Sequence, residues 1–165
     1  MKRMLTGKEK LYSIIITVAY LLLTLFIAVQ LTGGLSLVVG ELSAEAIVVG
    51  MFVFIIGLIL GAGFLHILVG LLGPKQDPTF GFTFYLYILA NLIVNVFSSI
   101  LSFAIGIARY VAYENVWGYV ESFLYVFIIA YLLYKYGIHE CNKVIKLGVI
   151  IILIQVVFDL IGFII

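Results

Sequence analysis

Long apolar stretches alternate with short polar connections along the whole chain. A helix needs about 20 mostly apolar residues to cross the roughly 30 Å of hydrocarbon in a bilayer, and five stretches reach that length. They predict an all-α fold, namely a polytopic membrane helix bundle of five transmembrane helices that forms a single domain over residues 1–165. The predicted spans cover residues 12–32, 46–72, 81–108, 116–134 and 144–165.

The connections between these stretches carry residues that end helices and form turns. Gly33 and Gly34 follow the first span, and both prolines, Pro74 and Pro78, lie between the second and third spans. Proline lacks a backbone donor and fixes φ, so it suits a position outside the helices. Gly137 follows the fourth span, where a helix C-cap is expected.

Composition agrees with a membrane protein and excludes other classes. The chain is 65% hydrophobic and 10% charged, with a mean hydropathy of +1.33. Soluble domains carry about 25% charged residues, and a chain of this size could not bury so much apolar surface in a soluble core. A net charge of +1 gives no basis for nucleic-acid binding, and the single Cys141 excludes an intramolecular disulfide. We expect an integral membrane protein, surrounded by membrane lipid, in the cell membrane.

The basic residues predict which end of each span faces the cytoplasm. With the N-terminus inside, five spans leave eight of the nine Lys and Arg residues in inner segments and only Arg109 outside. Short cytoplasmic loops carry such an excess of Lys and Arg, so the C-terminus is predicted outside. The inner basic residues are Lys2, Arg3, Lys8, Lys10, Lys75, Lys135, Lys143 and Lys146.

The first span has a second interpretation as a cleaved signal peptide, because basic residues precede it. Its apolar stretch of about 20 residues exceeds the usual h-region of about 7–15 residues. We therefore expect a retained helix.

Polar side chains in the third span are the first pointers to function, because polar groups are costly in hydrocarbon. Two amides and two hydroxyls recur at steps of four, three and four residues, which places them on one helical face. This polar stripe consists of Asn91, Asn95, Ser98 and Ser102, and Ser99 borders it. Two interpretations remain open, namely hydrogen bonds between helices or a polar conduit.

Glycines on two faces of the second span predict close helix packing, within the chain or between copies. Gly57 and Gly61 form a small-xxx-small motif that lets another backbone approach. His66 lies on the second face and is expected to be a hydrogen-bonded packing residue, with a proton carrier or ligand as the alternative. The predicted packing glycines are Gly50, Gly57, Gly61, Gly63 and Gly70.

Three charged residues fall at a similar outer depth in the five-span arrangement. Arg109 ends the third span, Glu121 lies in the fourth, and Asp159 lies in the fifth, one turn from Gln155. An unpaired charge is costly at this depth, so we expect Arg109 to pair with Glu121, Asp159 or both. A clamp between helices and an entry site for a cation or proton both remain open.

No motif of a known reaction is present in the sequence. The chain has no Gly-x-x-x-x-Gly-Lys phosphate loop, no His-Glu-x-x-His helix and no Gly-x-Ser-x-Gly elbow. The segment His139-Glu140-Cys141 has no recognised metal-ligand spacing. We expect no enzymatic activity, no cofactor and no metal.

Three stretches carry a family resemblance. The second span ends in Gly63-Phe-Leu-His-Ile-Leu-Val-Gly-Leu-Leu-Gly73, the turn Pro74-Lys-Gln-Asp-Pro-Thr-Phe80 follows, and Gly137-Ile-His-Glu-Cys-Asn-Lys-Val-Ile-Lys146 precedes the last span. Over about residues 46–165 this order resembles the Yip family of five-span membrane proteins. The resemblance implies a non-enzymatic membrane protein. Eukaryotic members associate with small GTPases and have a longer cytoplasmic N-terminal region, so we do not expect that partner here.

Two functions are compatible with these features. The first is a structural or accessory membrane protein that acts by helix packing with itself, as a homo-oligomer, or with another membrane protein. The alternative is a small transporter or channel with a polar path along the third span. A transporter predicts a hydrated cavity beside the polar stripe, whereas an accessory protein predicts a dry interior and an exposed apolar face.

Overall fold

The computed structural model describes residues 2–31, 44–106 and 114–164. These residues form the helices α1 (Gly7–Leu31), α2 (Ala44–Leu71), α3 (Phe80–Ile105), α4 (Glu114–Lys135) and α5 (Cys141–Ile164). Two short strands, β1 (Lys2–Arg3) and β2 (Asp77–Pro78), pair in parallel. The predicted all-α class is confirmed, and each helix overlaps one predicted span.

Among the described residues, three helices are long and apolar enough to cross a membrane. The qualifying stretches are Val49–Leu71, Phe80–Ile105 and Val116–Lys135, which match the second, third and fourth predicted spans. The first and fifth predicted spans coincide with α1 and α5. Their passage through the membrane, and the orientation of the termini, stay predictions.

Glycines in the left-handed region end two of the helices. Gly137 has φ +68°, and the Ile138 N–H donates to the Leu133 carbonyl at 2.9 Å, which satisfies an orphan carbonyl at the end of α4. Gly106 has φ +84° and ends α3 at Ile105. The third span was predicted to continue to residue 108, and this backbone conformation explains the earlier stop.

Helix α3 lies at the centre of the bundle. It packs against α1, α2 and α4, and α5 packs against α4. One buried cluster joins α2, α3, α4 and α5 around residues such as Leu86 and Ile129, and a smaller one joins Tyr20, Leu58 and Ile88. Most of the buried side chains that the structure describes lie in the half of the bundle near the connection between α2 and α3.

Three segments that the charge pattern predicts in the cytoplasm lie together at one end of the bundle. We call this end, formed by residues 2–6, 72–79 and 136–140, the loop end. The Thr79 N–H donates to the Arg3 carbonyl at 3.0 Å, and the Lys75 N–H donates to the Ile138 carbonyl at 2.8 Å. Lys75 also forms an exposed ion pair with Glu140 at 3.0 Å. Backbone hydrogen bonds therefore join the N-terminal segment to the connection between α2 and α3, and join that connection to the one between α4 and α5.

Candidate functional site

The polar stripe of α3 makes its hydrogen bonds within the protein. The Asn95 side-chain amide donates to the Thr24 hydroxyl at 3.1 Å and so links α3 to α1. The Asn91 amide donates to the Tyr87 carbonyl at 2.8 Å, one turn back on its own helix. The three serines likewise donate to backbone carbonyls of α3 at 2.7–3.0 Å; they are Ser98, Ser99 and Ser102. Among the described hydrogen bonds of the stripe, that of Asn95 is thus the one that reaches another helix.

Tyrosines from three helices extend this polar region. Tyr20 of α1 is buried, interacts with the Thr24 and Asn95 side chains, and stacks on Phe54 with ring centroids 5.9 Å apart. The rings of Tyr87 and Tyr125 meet edge to face at 6.0 Å. The interior therefore holds a network of hydroxyl and amide groups that lies between α1, α3 and α4.

A cleft lies beside this network, between α2 and α5. Tyr87 and Asn91 of α3 and Tyr125 of α4 form its floor, while α2 and Ile151 of α5 form its sides. Its volume is about 250 Å³. Apart from these polar groups its walls are apolar, and they consist of Gly61, Phe64, Leu65, Leu68 and Ile151.

The glycines of α2 differ in what surrounds them. Gly61 packs against Tyr87 so closely that an added Cβ would lie 2.6 Å from Cζ of the tyrosine ring. Gly63 lies near the Phe80 ring. A Cβ at Gly50, Gly57 or Gly70 would meet no described atom within 4 Å. One glycine of the Gly57-x-x-x-Gly61 motif is therefore used for packing inside the chain, and the other faces open space.

His66 lies at the junction between α2 and α3. Its Nδ1 is 3.0 Å from the Thr83 hydroxyl, and its ring packs edge-on against Phe80 at 5.9 Å. Since Thr83 is almost fully buried, this hydrogen bond satisfies a polar group inside the helix pair. The arrangement supports the interpretation of His66 as a packing residue.

The predicted outer charge cluster lies mostly outside the described residues. Glu121 is half-buried on α4. Arg109 lies outside the described residues, and the side chains of Gln155 and Asp159 are not described although their backbone is part of α5. The pairing of Arg109 with the two carboxylates therefore stays a prediction.

His139 is a buried titratable group at the loop end. It is 2% exposed, and neither ring nitrogen has a hydrogen-bond partner among the described residues, although the Val69 backbone lies close to the ring. Burial lowers the pKa of His139, the nearby Lys143 ammonium lowers it further, and the Val69 backbone opposes them. The described residues contain no group of three His, Cys, Asp or Glu side chains that could hold a metal.

Acidification is expected to destabilise the loop end through His139. Because the pKa of His139 is lower in the folded protein, the unfolded chain takes up the proton first, and stability falls as pH drops below about 6.5. Replacing His139 with glutamine should flatten the dependence of the melting temperature on pH between about 7.5 and 5.5. An equal slope in H139Q and the unaltered protein would contradict the assignment.

Sequence reasoning missed the buried tyrosines. Tyrosines near the end of a predicted span are expected to be anchors at the membrane interface, and Tyr85 and Tyr87 lie near the inner end of the third span. That expectation is wrong for Tyr85, because this residue is 6% exposed and belongs to the core. Tyr87 forms the floor of the cleft. It precedes Asn91 by four residues, so its position on the polar stripe was a usable signal.

Comparisons with family models, with curated proteins and with solved structures found no match to this chain. The three apolar helices are consistent with a membrane protein.

Proposed function

We propose that this chain is a non-enzymatic integral membrane protein with a structural or accessory role. In this proposal all five helices cross the bilayer as a single domain, with the N-terminus inside and the C-terminus outside. The loop end contains Lys2, Arg3 and Lys75 and is bordered by Lys135, which supports this orientation, because short cytoplasmic loops are rich in Lys and Arg. The five-span order also agrees with the resemblance to the Yip family.

The observation that carries the accessory role is the internal use of the polar stripe. One described hydrogen bond of the stripe, from Asn95 to Thr24, joins α3 to α1 as expected of polar groups that link membrane helices. The other described ones donate to backbone carbonyls of α3 itself, so the donors of the stripe are used inside the protein. Of the stripe residues, Asn91 contributes to the floor of the cleft, and that cleft is mainly apolar. A conduit would need a continuous row of polar groups facing water.

The face proposed for association lies on the half of α2 that is distant from the loop end. Apolar residues that flank the glycines, such as Val53 and Leu60, are highly exposed there, and Gly50 and Gly57 face open space two turns apart. Small residues at such a position let two membrane helices approach closely. A helix of a second copy or of another membrane protein would pack on this face.

The substitution Gly57→Leu tests this role. It is expected to reduce cross-linking between copies, or recovery of a membrane partner in mild detergent, at least fivefold, because the side chain holds the helices apart. The monomer should keep its melting temperature, since no described atom lies within 4 Å of the new Cβ. The matched control is Gly118→Leu on α4, where space is also open. Unchanged recovery in G57L would contradict the proposed face.

A transporter remains the second candidate because Tyr87, Asn91 and Tyr125 converge on the cleft. The Asn95→Leu variant separates the two functions. If Asn95 is an interhelical link, its replacement should lower the free energy of unfolding by about 0.6–1.7 kcal/mol. The control Asn91→Leu removes a bond within one helix and should cost less. Ion flux in liposomes that is abolished by N95L at unchanged stability would favour the transporter.

A further inference from the structure

A second apolar groove runs between α4 and α5. It extends along α5 from Cys141 to Ile152 and along α4 from Tyr134 back to Phe123, with a volume of about 450 Å³. Eleven helical steps correspond to about 16 Å. One leaflet of a bilayer contributes about 15 Å of hydrocarbon, so the groove matches the depth of a single leaflet.

The end of the groove near Cys141 combines aromatic and cationic groups. Tyr131 and Tyr134 are 54% and 58% exposed, and the Lys135 ammonium lies 5.7 Å from the centre of the Tyr131 ring. Among the described contacts, Glu140 pairs with Lys75, and no carboxylate pairs with Lys135. An uncompensated cation beside interfacial tyrosines suits a lipid phosphate.

The length and charge of the groove favour a lipid over a helix. Its apolar lining runs the depth of one leaflet, and an exposed cation lies at the end where a lipid phosphate would sit. Gly148 belongs to the lining, and a Cβ there would lie 3.1 Å from Val126 Cγ1, so the two helices approach closely beneath the groove.

We propose that the groove between α4 and α5 binds one phospholipid of the inner leaflet with an anionic headgroup. One acyl chain lies along the groove from Cys141 to Ile152, and the headgroup phosphate meets the Lys135 ammonium. The proposal rests on the membrane placement given above and not on the accessory role.

Native mass spectrometry of the purified full chain tests this site directly. The protein is mixed with equal amounts of phosphatidylglycerol and phosphatidylcholine, and the retained lipids are counted. We expect one phosphatidylglycerol molecule to be retained preferentially. Lys135→Gln should reduce that preference about fivefold, the effect of one basic residue near an anionic surface. Lys146→Gln is the charge-matched control and should leave it unchanged.

A second pair of variants tests the apolar part of the site. Val149 lines the groove, whereas Val156 lies two turns further along α5, beyond the lining residues, and both side chains are about half exposed. Val149→Trp should remove the retained lipid, and Val156→Trp should keep it. The melting temperature of each variant is measured first, so that lipid retention is compared between proteins folded like the unaltered one. The surface variant K135Q tests the headgroup contact independently.

Three results would overturn the lipid proposal. They are equal retention of both lipids, retention unaffected by K135Q and V149W, and an acyl chain bound covalently to Cys141 and released by hydroxylamine. A measured ion flux would overturn the accessory role and leave the lipid result unchanged, so the two proposals fail separately.

Discussion

Replacing Gly61 with leucine is expected to lower the free energy of unfolding by about 1–3 kcal/mol, the usual cost of an added side chain that displaces a packed neighbour. The new side chain would point at the Tyr87 ring, whose Cζ lies 2.6 Å from the position of the added Cβ. Tyr87 can move only by giving up its edge-to-face contact with Tyr125 or by turning its ring into the cleft that it shares with Gly61, which places the expected effect towards the lower end of that range. Reversible unfolding in mixed micelles, followed by circular dichroism, measures the effect.

Gly57→Leu is the control for this substitution, because it adds the same side chain one turn away where no described atom lies within 4 Å. Its monomer should unfold like the unaltered protein. Gly61→Ala alone places a Cβ against the Tyr87 ring, whereas in the double variant with Tyr87→Ala that ring is absent. The double variant should therefore lose less stability than the sum of the two single changes. Strict additivity would show that Gly61 and Tyr87 do not share a contact.

Replacing Arg3 with alanine is expected to destabilise the loop end by about 1–2 kcal/mol. The guanidinium lies 4.8 Å from the centre of the Phe82 ring and 5.8 Å from that of Tyr136, and it pairs with Glu9 at 2.6 Å. These contacts join the N-terminal segment to α1, to α3 and to the connection after α4. Partly buried cation–π contacts are each worth about 1 kcal/mol. The N-terminal segment should then exchange its amide hydrogens faster, with the Thr79 amide as the reporter.

Lys10→Ala removes the same charge from an exposed position and is the control for Arg3. Loss of the same stability in K10A and R3A would contradict the role of Arg3.

The pH dependence of the Glu9 carboxylate supplies a further check on the ion pair. Desolvation raises the pKa of Glu9, but hydrogen bonds from Thr6 and the Arg3 guanidinium outweigh it, so the net pKa is lowered. The stabilisation by Glu9 is present above its ordinary pKa, near 4.3, and is lost as pH falls through the lower folded value.

The positions of the helices could be predicted because each corresponds to an apolar stretch of the sequence that is long enough to cross a bilayer. The second span, predicted at 46–72, agrees with α2 (Ala44–Leu71) within two residues at each end, since a span of about 20 apolar residues limits where the helix can begin and end. The third span was predicted too long, because the left-handed conformation of Gly106 depends on local backbone geometry that hydropathy does not report. Local signals therefore placed the helices within a few residues.

Contacts between distant residues could not be predicted in the same way. The pairing of β1 with β2 joins residues about 75 positions apart, and strands of two residues are too short to show a periodic pattern from which it could be predicted. Likewise, Asn95 was placed on the polar stripe by its spacing, but its partner Thr24 lies on another helix. The spacing of polar residues identifies a face, whereas the neighbour of that face depends on how the helices pack.

The central claim is that the chain crosses the bilayer five times with the loop end in the cytoplasm. It is tested most directly by attaching a compartment-sensitive tag to each terminus of the full chain in cells, with an impermeant thiol reagent applied to the exposed Cys141. We expect the N-terminal tag on the cytoplasmic side, the C-terminal tag outside, and Cys141 unreactive until the cells are opened. Both tags in one compartment, or labelling of Cys141 in intact cells, would contradict the claim.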